Sequence, residues 1–84
     1  MITLYSKDHC PYCVKAKAYL TSKKIEFTEV NIEHDVDAKA FLKKNGHKTV
    51  PQIYKGEELL VEGGCNGLLA LSLDELMARV AKPV

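Results

Sequence analysis

The sequence of 84 residues predicts an α/β fold in which a four-stranded mixed sheet is flanked by helices. Segments of strand-like composition alternate with segments of helical periodicity, in the order βαβαββα. A Cys-x-x-Cys motif, formed by Cys10 and Cys13, lies at the first strand-to-helix junction. The first βαβ unit requires a right-handed crossover with parallel strands, and a final hairpin then adds antiparallel strands.

The first three elements follow from composition and spacing. Residues 2–6 contain β-branched and aromatic types, which favour a strand. Cys13, Ala16 and Leu20 recur at offsets of 0, 3 and 7, so they share one face of the first helix. Residues 25–32 alternate apolar and polar types, and this alternation predicts a half-buried second strand.

The second helix and the hairpin are predicted from their end signals. Residues 35–46 carry acids near their start, lysines near their end and a closing Gly46, a pattern typical of a helix. Two strand-like pieces, residues 52–54 and 58–61, flank a turn at residues 55–57. This arrangement indicates a β-hairpin.

The tail, residues 68–80, is predicted to be helical. Its apolar residues recur at helical offsets, and we expect them to form one buried stripe: Leu69, Leu73, Leu76 and Val80. Ser72 is followed three residues later by Glu75, which is a capping-box pattern. The tail is therefore expected to consist of two short helices that break near Ser72.

Composition and charge exclude several classes of protein. Twelve Lys and Arg residues against eleven Asp and Glu give a net charge of +1, which predicts no bulk attraction to nucleic acid or to an anionic membrane. No apolar run approaches the roughly 20 residues of a membrane span, and residues 1–10 do not resemble a signal peptide. We expect residues 1–84 to form a single domain of a monomeric, cytoplasmic protein.

Three explanations compete for the Cys10–Cys13 pair: a metal clip, a structural disulfide, or a pair of thiols that exchange electrons. A closed zinc site needs four ligands, and the remaining candidates are few: Cys65, His9, His34 and His47. The cytosol keeps thiols reduced, and three cysteines are an odd number, so a disulfide scaffold is disfavoured. No metal is expected, and the sequence favours an exchange pair.

The position of Cys10 also favours exchange chemistry. Cys10 is predicted to cap the first helix, with Pro11 in its first turn, where the missing N–H costs nothing. The positive end of the helix dipole, with Lys7 and Lys15 nearby, favours thiolate over thiol. Cys10 would then attack a substrate disulfide, and Cys13, one turn further in, would resolve the mixed disulfide.

Three motifs resemble those of the dithiol glutaredoxins, which have a thioredoxin-like fold. They are CPYC at residues 10–13, TVPQI at 49–53, and Gly63-Gly64 followed by Cys65 and Asn66. The first cysteine precedes the proline of the second motif by 41 residues (51 − 10), and that proline precedes the glycine pair by 12 (63 − 51). The resemblance covers nearly the whole chain.

The resemblance implies a glutathione site made of eight residues: Lys7, Tyr12, Thr49, Val50, Pro51, Gly64, Cys65 and Asn66. The Val50–Pro51 bond would be cis, leaving the Val50 backbone free to pair with glutathione as an added strand. Lys7 would meet the glycyl carboxylate, and Tyr12 would form one wall. Backbone N–H groups after Gly64 would hold the γ-glutamyl carboxylate. Asn66 and Gly67 stand where the family often has aspartates.

The resemblance also implies the activity: a glutathione-dependent thiol–disulfide oxidoreductase acting on protein disulfides and protein–glutathione mixed disulfides. One alternative is a carrier reduced by thioredoxin reductase that serves ribonucleotide reductase. Another is a module that binds a [2Fe–2S] cluster between two subunits with two glutathiones, although Pro11 argues against it. Cys65 is expected to be a small packed residue, with a secondary redox thiol as the alternative.

Overall fold

The computed structural model describes residues 2–81 and contains a four-stranded sheet with the strand order β2-β1-β3-β4. The strands are β1 (Ile2–Ser6), β2 (Thr28–Asn31), β3 (Gln52–Lys55) and β4 (Glu58–Val61). The helices are α1 (Pro11–Ser22), α2 (Val36–Lys44), α3 (Gly64–Ala70) and α4 (Leu73–Ala81). Strand β1 pairs parallel to β2 and antiparallel to β3, and β3 pairs antiparallel to β4. The predicted mixed sheet is confirmed.

Helix α1 has the buried face that its spacing predicts. Cys13, Ala16 and Leu20 are all buried. A turn follows α1 and is closed by a hydrogen bond, which the Ile25 N–H donates to the Leu20 carbonyl at 3.0 Å. Residues 25–27 follow this turn without joining the sheet, and β2 covers only Thr28–Asn31, so it is shorter than the predicted strand of residues 25–32.

The tail forms two helices that break before α4, as predicted. Ser72 Oγ accepts a hydrogen bond from the Glu75 N–H at 3.1 Å, which caps α4. The predicted stripe is wrong in its first half, because Leu69 is 49% exposed and Leu73 is 43% exposed. Leu68 is fully buried in place of Leu69, whereas Leu76 is fully buried as predicted. The extended backbone at the end of α3 resets the helical phase, so one set of offsets does not continue across the break.

The main hydrophobic core combines residues from strands β1, β3 and β4 with residues from α1, α3 and α4 and with Ile25, which lies between α1 and β2. It contains Ile2, Leu4, Ala16, Leu20, Ile25, Ile53, Leu60, Val61, Cys65, Leu68 and Leu76. Because side chains alternate along a strand, Tyr5 points to the opposite face of β1, where it contacts Phe41 of α2 and Tyr54 of β3 at ring-centroid distances of 5.7 Å. Helices therefore cover both faces of the sheet.

Within residues 2–81, every helix is too short or too polar to cross a lipid bilayer.

Candidate active site

The two cysteines of the CPYC motif lie at the start of α1. Cys10 is the N-cap residue, with an extended backbone, and Pro11 is the first helical residue. The sulfur atoms of Cys10 and Cys13 are joined in a disulfide, with their Cα atoms 5.2 Å apart. Cys10 is 8% exposed and Cys13 is 2% exposed. An incoming thiol or disulfide therefore meets Cys10 first.

The helix start surrounds the Cys10 sulfur with groups that favour a negative charge. The Cys13 N–H points at Cys10 Sγ from 3.2 Å, and the first-turn N–H groups carry the positive end of the helix dipole. No acidic residue lies in the first turn of α1. When the disulfide is reduced, these groups stabilise the thiolate of Cys10, which is the nucleophilic form.

The loop that precedes β3 lies directly beside this sulfur. The Val50–Pro51 peptide bond is cis, as the resemblance implies. Cys10 Sγ lies 3.9 Å from the Val50 carbonyl oxygen, a contact rather than a hydrogen bond while the sulfur is in the disulfide. The buried Gln52 donates from Nε2 to the Thr49 carbonyl at 2.9 Å and so holds the loop in position.

The glycine pair brings the start of α3 against the same loop. Gly64 has a positive φ of 58°, and a Cβ atom there would lie 2.7 Å from the Pro51 carbonyl oxygen. Only glycine allows this approach without a shift. The Cys65 side chain is 3% exposed and belongs to the hydrophobic core, whereas Asn66 is exposed. The fold thus gathers the three motifs at one end of the sheet.

Lys7 and Tyr12 flank this site and are both exposed. Lys7 lines a groove that also contains Thr49 and Val50. Tyr12 is 55% exposed, and the Lys15 ammonium group lies 5.6 Å from its ring centroid. Lys7 is therefore near the cis-proline loop, while Tyr12 borders the cysteines on the solvent side of α1.

Asp8 anchors the loop between β1 and α1, a role that the sequence analysis missed. Its carboxylate accepts a hydrogen bond from Asn31 Nδ2 at 2.8 Å and lies 3.2 Å from His34 Nε2. The Asn31 hydrogen bond, followed by the positive charge that His34 carries when protonated, lowers the pKa of Asp8. The partners are 23 and 26 residues away, so no local pattern in the sequence indicates them.

Among residues 2–81, no group of three metal-ligating side chains lies close enough together to hold a metal ion.

Comparison with known proteins identifies the family. The glutaredoxin family model matches residues 2–60. Glutaredoxin 3 of Escherichia coli is 39% identical over 71 residues, which cover 83% of each chain. A glutaredoxin of Pseudomonas aeruginosa is 38% identical over 82 residues, covering 92% of this chain and 95% of the relative. The solution structure of glutaredoxin from Brucella melitensis is 34% identical, has a TM-score of 0.72 and covers 99% of this chain and 92% of that one.

The chain belongs to the glutaredoxin family.

Family membership selects among the explanations of the CPYC motif. Glutaredoxins are oxidoreductases with a redox-active cysteine pair, so Cys10 and Cys13 form an exchange pair and the protein is a thiol–disulfide oxidoreductase. The family uses glutathione as a co-substrate and acts on disulfides. The resemblance drawn from the three motifs and the thioredoxin-like fold are both confirmed.

Proposed function

We propose that this glutaredoxin is reduced by glutathione and that it reduces protein disulfides and protein–glutathione mixed disulfides. The observation that carries the proposal is the contact between Cys10 Sγ and the Val50 carbonyl, 3.9 Å apart, at the start of α1. An extended peptide that pairs with the Val50 backbone would present its sulfur to Cys10. Glutathione is a short peptide of this kind.

The reaction is a series of thiol–disulfide exchanges. The Cys10 thiolate attacks one sulfur of the substrate disulfide, a Cys10–substrate disulfide forms, and the other sulfur leaves as a thiolate that takes up a proton. For a protein disulfide, Cys13 attacks Cys10 and releases the substrate thiol. For a glutathione mixed disulfide, a second glutathione releases Cys10 directly. That second glutathione leaves as part of a glutathione disulfide, and the enzyme is then already reduced. After the protein-disulfide route, two glutathione thiols reduce the Cys10–Cys13 disulfide and become one glutathione disulfide.

The proposed glutathione site uses the residues that surround the Cys10 sulfur. Val50, in the loop with Thr49 and Pro51, supplies the backbone partner, and Lys7 meets the glycyl carboxylate. The Gly64 backbone and the N–H groups of Cys65 and Asn66 meet the γ-glutamyl end. Because the Cys65 side chain is buried, its contribution is restricted to its backbone. Tyr12 forms the outer wall of the site.

A coupled assay that follows NADPH consumption on a glutathionylated peptide tests this proposal. One arm contains glutathione with glutathione reductase, and the other contains thioredoxin reductase alone. We expect turnover only in the glutathione arm. Cys13→Ser should retain it, because a glutathione mixed disulfide needs one cysteine, whereas Cys10→Ser should reduce it to the uncatalysed background. Turnover that requires Cys13, or that occurs only with thioredoxin reductase, would reject the proposal.

A second candidate function rests on the residues after the glycine pair. Asn66 offers no charge to the glutathione ammonium group, and no side chain fits at position 67, where a Cβ would lie 1.6 Å from the Glu62 carbonyl oxygen. This favours a carrier that thioredoxin reductase reduces and that serves ribonucleotide reductase. The second arm of the assay tests the first part of this function, which is reduction by thioredoxin reductase.

For either function, we propose a monomeric enzyme made of one domain, residues 1–84. We place it in the cytoplasm, where glutathione and thioredoxin keep thiols reduced.

A further inference from the structure

A groove lined by lysines extends along α2 from the cis-proline loop, whose Val50 carbonyl lies beside Cys10. It encloses about 1000 Å³ and includes Lys7 and Val50 at the end nearest Cys10. Pockets for small ligands enclose roughly 300–1,000 Å³, so this groove is at the upper end of that range. A tripeptide bound at Lys7 and Val50 would occupy one end of it.

The charges of this groove are unbalanced. Four lysines line it, Lys7, Lys39, Lys43 and Lys48, together with a single carboxylate, that of Glu33. All four lysines are exposed, and none forms an ion pair with a carboxylate among residues 2–81. Lys17, outside the groove, is in contrast neutralised by Glu29 at 2.9 Å. The lysine groove therefore carries an excess of positive charge over its one carboxylate, and none of its four lysines is held in a described ion pair.

The floor of the groove is partly apolar. Ile32, Leu42 and Val50 line it, together with Val36, which is 83% exposed. Val36, Lys39 and Lys43 are separated by three and four residues on α2, so they follow one another along one face of the helix. An apolar side chain bordered by ammonium groups suits a segment that alternates apolar and acidic residues.

We propose that the lysine groove binds an extended acidic segment next to the target cysteine of the substrate protein. The inference rests on the proposed function, since the segment must belong to a substrate of Cys10. Lys39, Lys43 and Lys48 select the segment, and Val36 contacts an apolar side chain within it. The protein then prefers cysteines flanked by aspartate or glutamate over cysteines flanked by lysine or arginine.

A single exchange step tests this preference. The probes are two synthetic peptides that differ only in having glutamates or lysines around a central cysteine, which carries 5-thio-2-nitrobenzoate in a mixed disulfide. The Cys10 thiolate of the reduced Cys13→Ser protein attacks the peptide sulfur, a Cys10–peptide disulfide forms, and the thionitrobenzoate leaves as a coloured thiolate. This thiolate is the better leaving group because its thiol is the stronger acid. A Cys10→Ser, Cys13→Ser protein gives the background rate.

We expect the acidic peptide to react about ten-fold faster than the basic peptide at low ionic strength, because clustered surface charge raises encounter rates by this order or more. Added salt should remove most of the difference. Lys43→Glu should reduce the preference to about two-fold or less, since it replaces an attractive charge with a repulsive one in the groove. Lys39→Glu and Lys48→Glu should act in the same direction.

Lys44→Glu is the matched control. Lys44 is also exposed in the last turn of α2, but it does not line the groove. We expect this variant to retain the preference of the parent. Equal rates for the two peptides, or equal effects of Lys43→Glu and Lys44→Glu, would overturn the inference. No glutathione is present in this exchange, so the result is separate from that of the coupled assay, whose failure would reject the proposed reductant alone.

Discussion

Gly67 shows how one absent side chain shapes the site. A Cβ atom at this position would lie 1.6 Å from the Glu62 carbonyl oxygen, a distance that no relaxed structure tolerates. The family often has an aspartate at this position, so the sequence alone suggests only that Gly67 lacks an acidic side chain. The structure adds a packing reason, because the start of α3 lies so close to the end of β4 that only glycine fits.

Replacing Gly67 with alanine should destabilise the protein. Alanine within a helix is ordinarily more favourable than glycine by roughly 0.5–1 kcal/mol, whereas overpacking against a fixed backbone costs about 1–3 kcal/mol. Because the obstacle is a backbone carbonyl, we expect the second effect to dominate and the free energy of unfolding to fall. Urea denaturation of the oxidised protein, followed by circular dichroism, measures the change.

The neighbouring exposed residue supplies the control for this measurement. Asn66→Ala lies in the same helix and should alter the free energy of unfolding by less than about 1 kcal/mol. If Gly67→Ala proved as stable as the wild type, the backbone near Glu62 would have to move aside easily. The close contact would then not explain why position 67 lacks an acidic side chain.

The sequence indicates the reactive residues better than it indicates their supports. Cys10, Pro11 and Val50 could be predicted because each belongs to a short motif with a chemical reason for its spacing. Asp8 and Gln52 could not, since one binds Asn31, which is distant in sequence, and the other fixes a carbonyl that no side-chain pattern reveals. Motifs encode the chemistry, whereas the supporting contacts depend on the folded backbone.

The two tail helices illustrate what periodicity alone can predict. Apolar residues at helical offsets correctly indicated helices, and the capping box at Ser72 correctly indicated the break. The predicted buried face was wrong at Leu69 in α3, because the phase of one helix was carried across the break into the other, and it was also wrong at Leu73, the partly exposed first residue of α4. Leu76 is the largest contribution that α4 makes to the core, being fully buried.

Truncating Leu76 should therefore cost far more than truncating a neighbour. We expect Leu76→Ala to lower the free energy of unfolding by about 2–5 kcal/mol, the usual range for a buried leucine. Leu73→Ala removes the same atoms from a side chain that is 43% exposed and should cost less than about 1.5 kcal/mol. Chemical denaturation of both variants compares them.

If Leu76→Ala does not fold, a milder substitution at the same position still allows the comparison. Leu76→Met nearly conserves volume and should cost less than about 1.5 kcal/mol. Similar losses for Leu73→Ala and Leu76→Ala would show that α4 contributes to stability through its exposed face as well. That result would contradict the burial pattern described above.

The overall topology was predictable, whereas the polar contacts that join its parts were not. Element order and the handedness of the βαβ unit leave few arrangements for the sheet, and the observed order is one of them. By contrast, Ser6, Lys17 and Glu29 meet across β1, α1 and β2, and nothing in their local sequences pairs them. Ser6 Oγ and Lys17 Nζ both donate to the Glu29 carboxylate, at 2.8 and 2.9 Å.

This three-element contact should make stability depend on pH. The hydrogen bonds from Lys17 and Ser6 lower the pKa of Glu29 below its ordinary value of 4.5. A carboxyl with a lowered pKa binds its proton more readily in the unfolded chain, so stability increases with pH through this region. The contribution is fully present above about pH 4.5 and is lost as the pH falls through the lower, folded-state pKa.

Glu29→Gln tests this contribution, because it removes the charge and keeps the shape of the side chain. At neutral pH we expect a loss of less than about 1 kcal/mol, since the carboxylate side chain is 38% exposed and water screens the ion pair. The difference from the wild type should decrease as the pH falls below 4.5. Glu26→Gln removes the same charge from an exposed residue with no ion-pair partner among residues 2–81, and it should show no such decrease. Thermal unfolding across this pH range distinguishes the two variants. If the stability difference from the wild type depended on pH in the same way for both, the Lys17–Glu29–Ser6 contact would not couple the strands to α1.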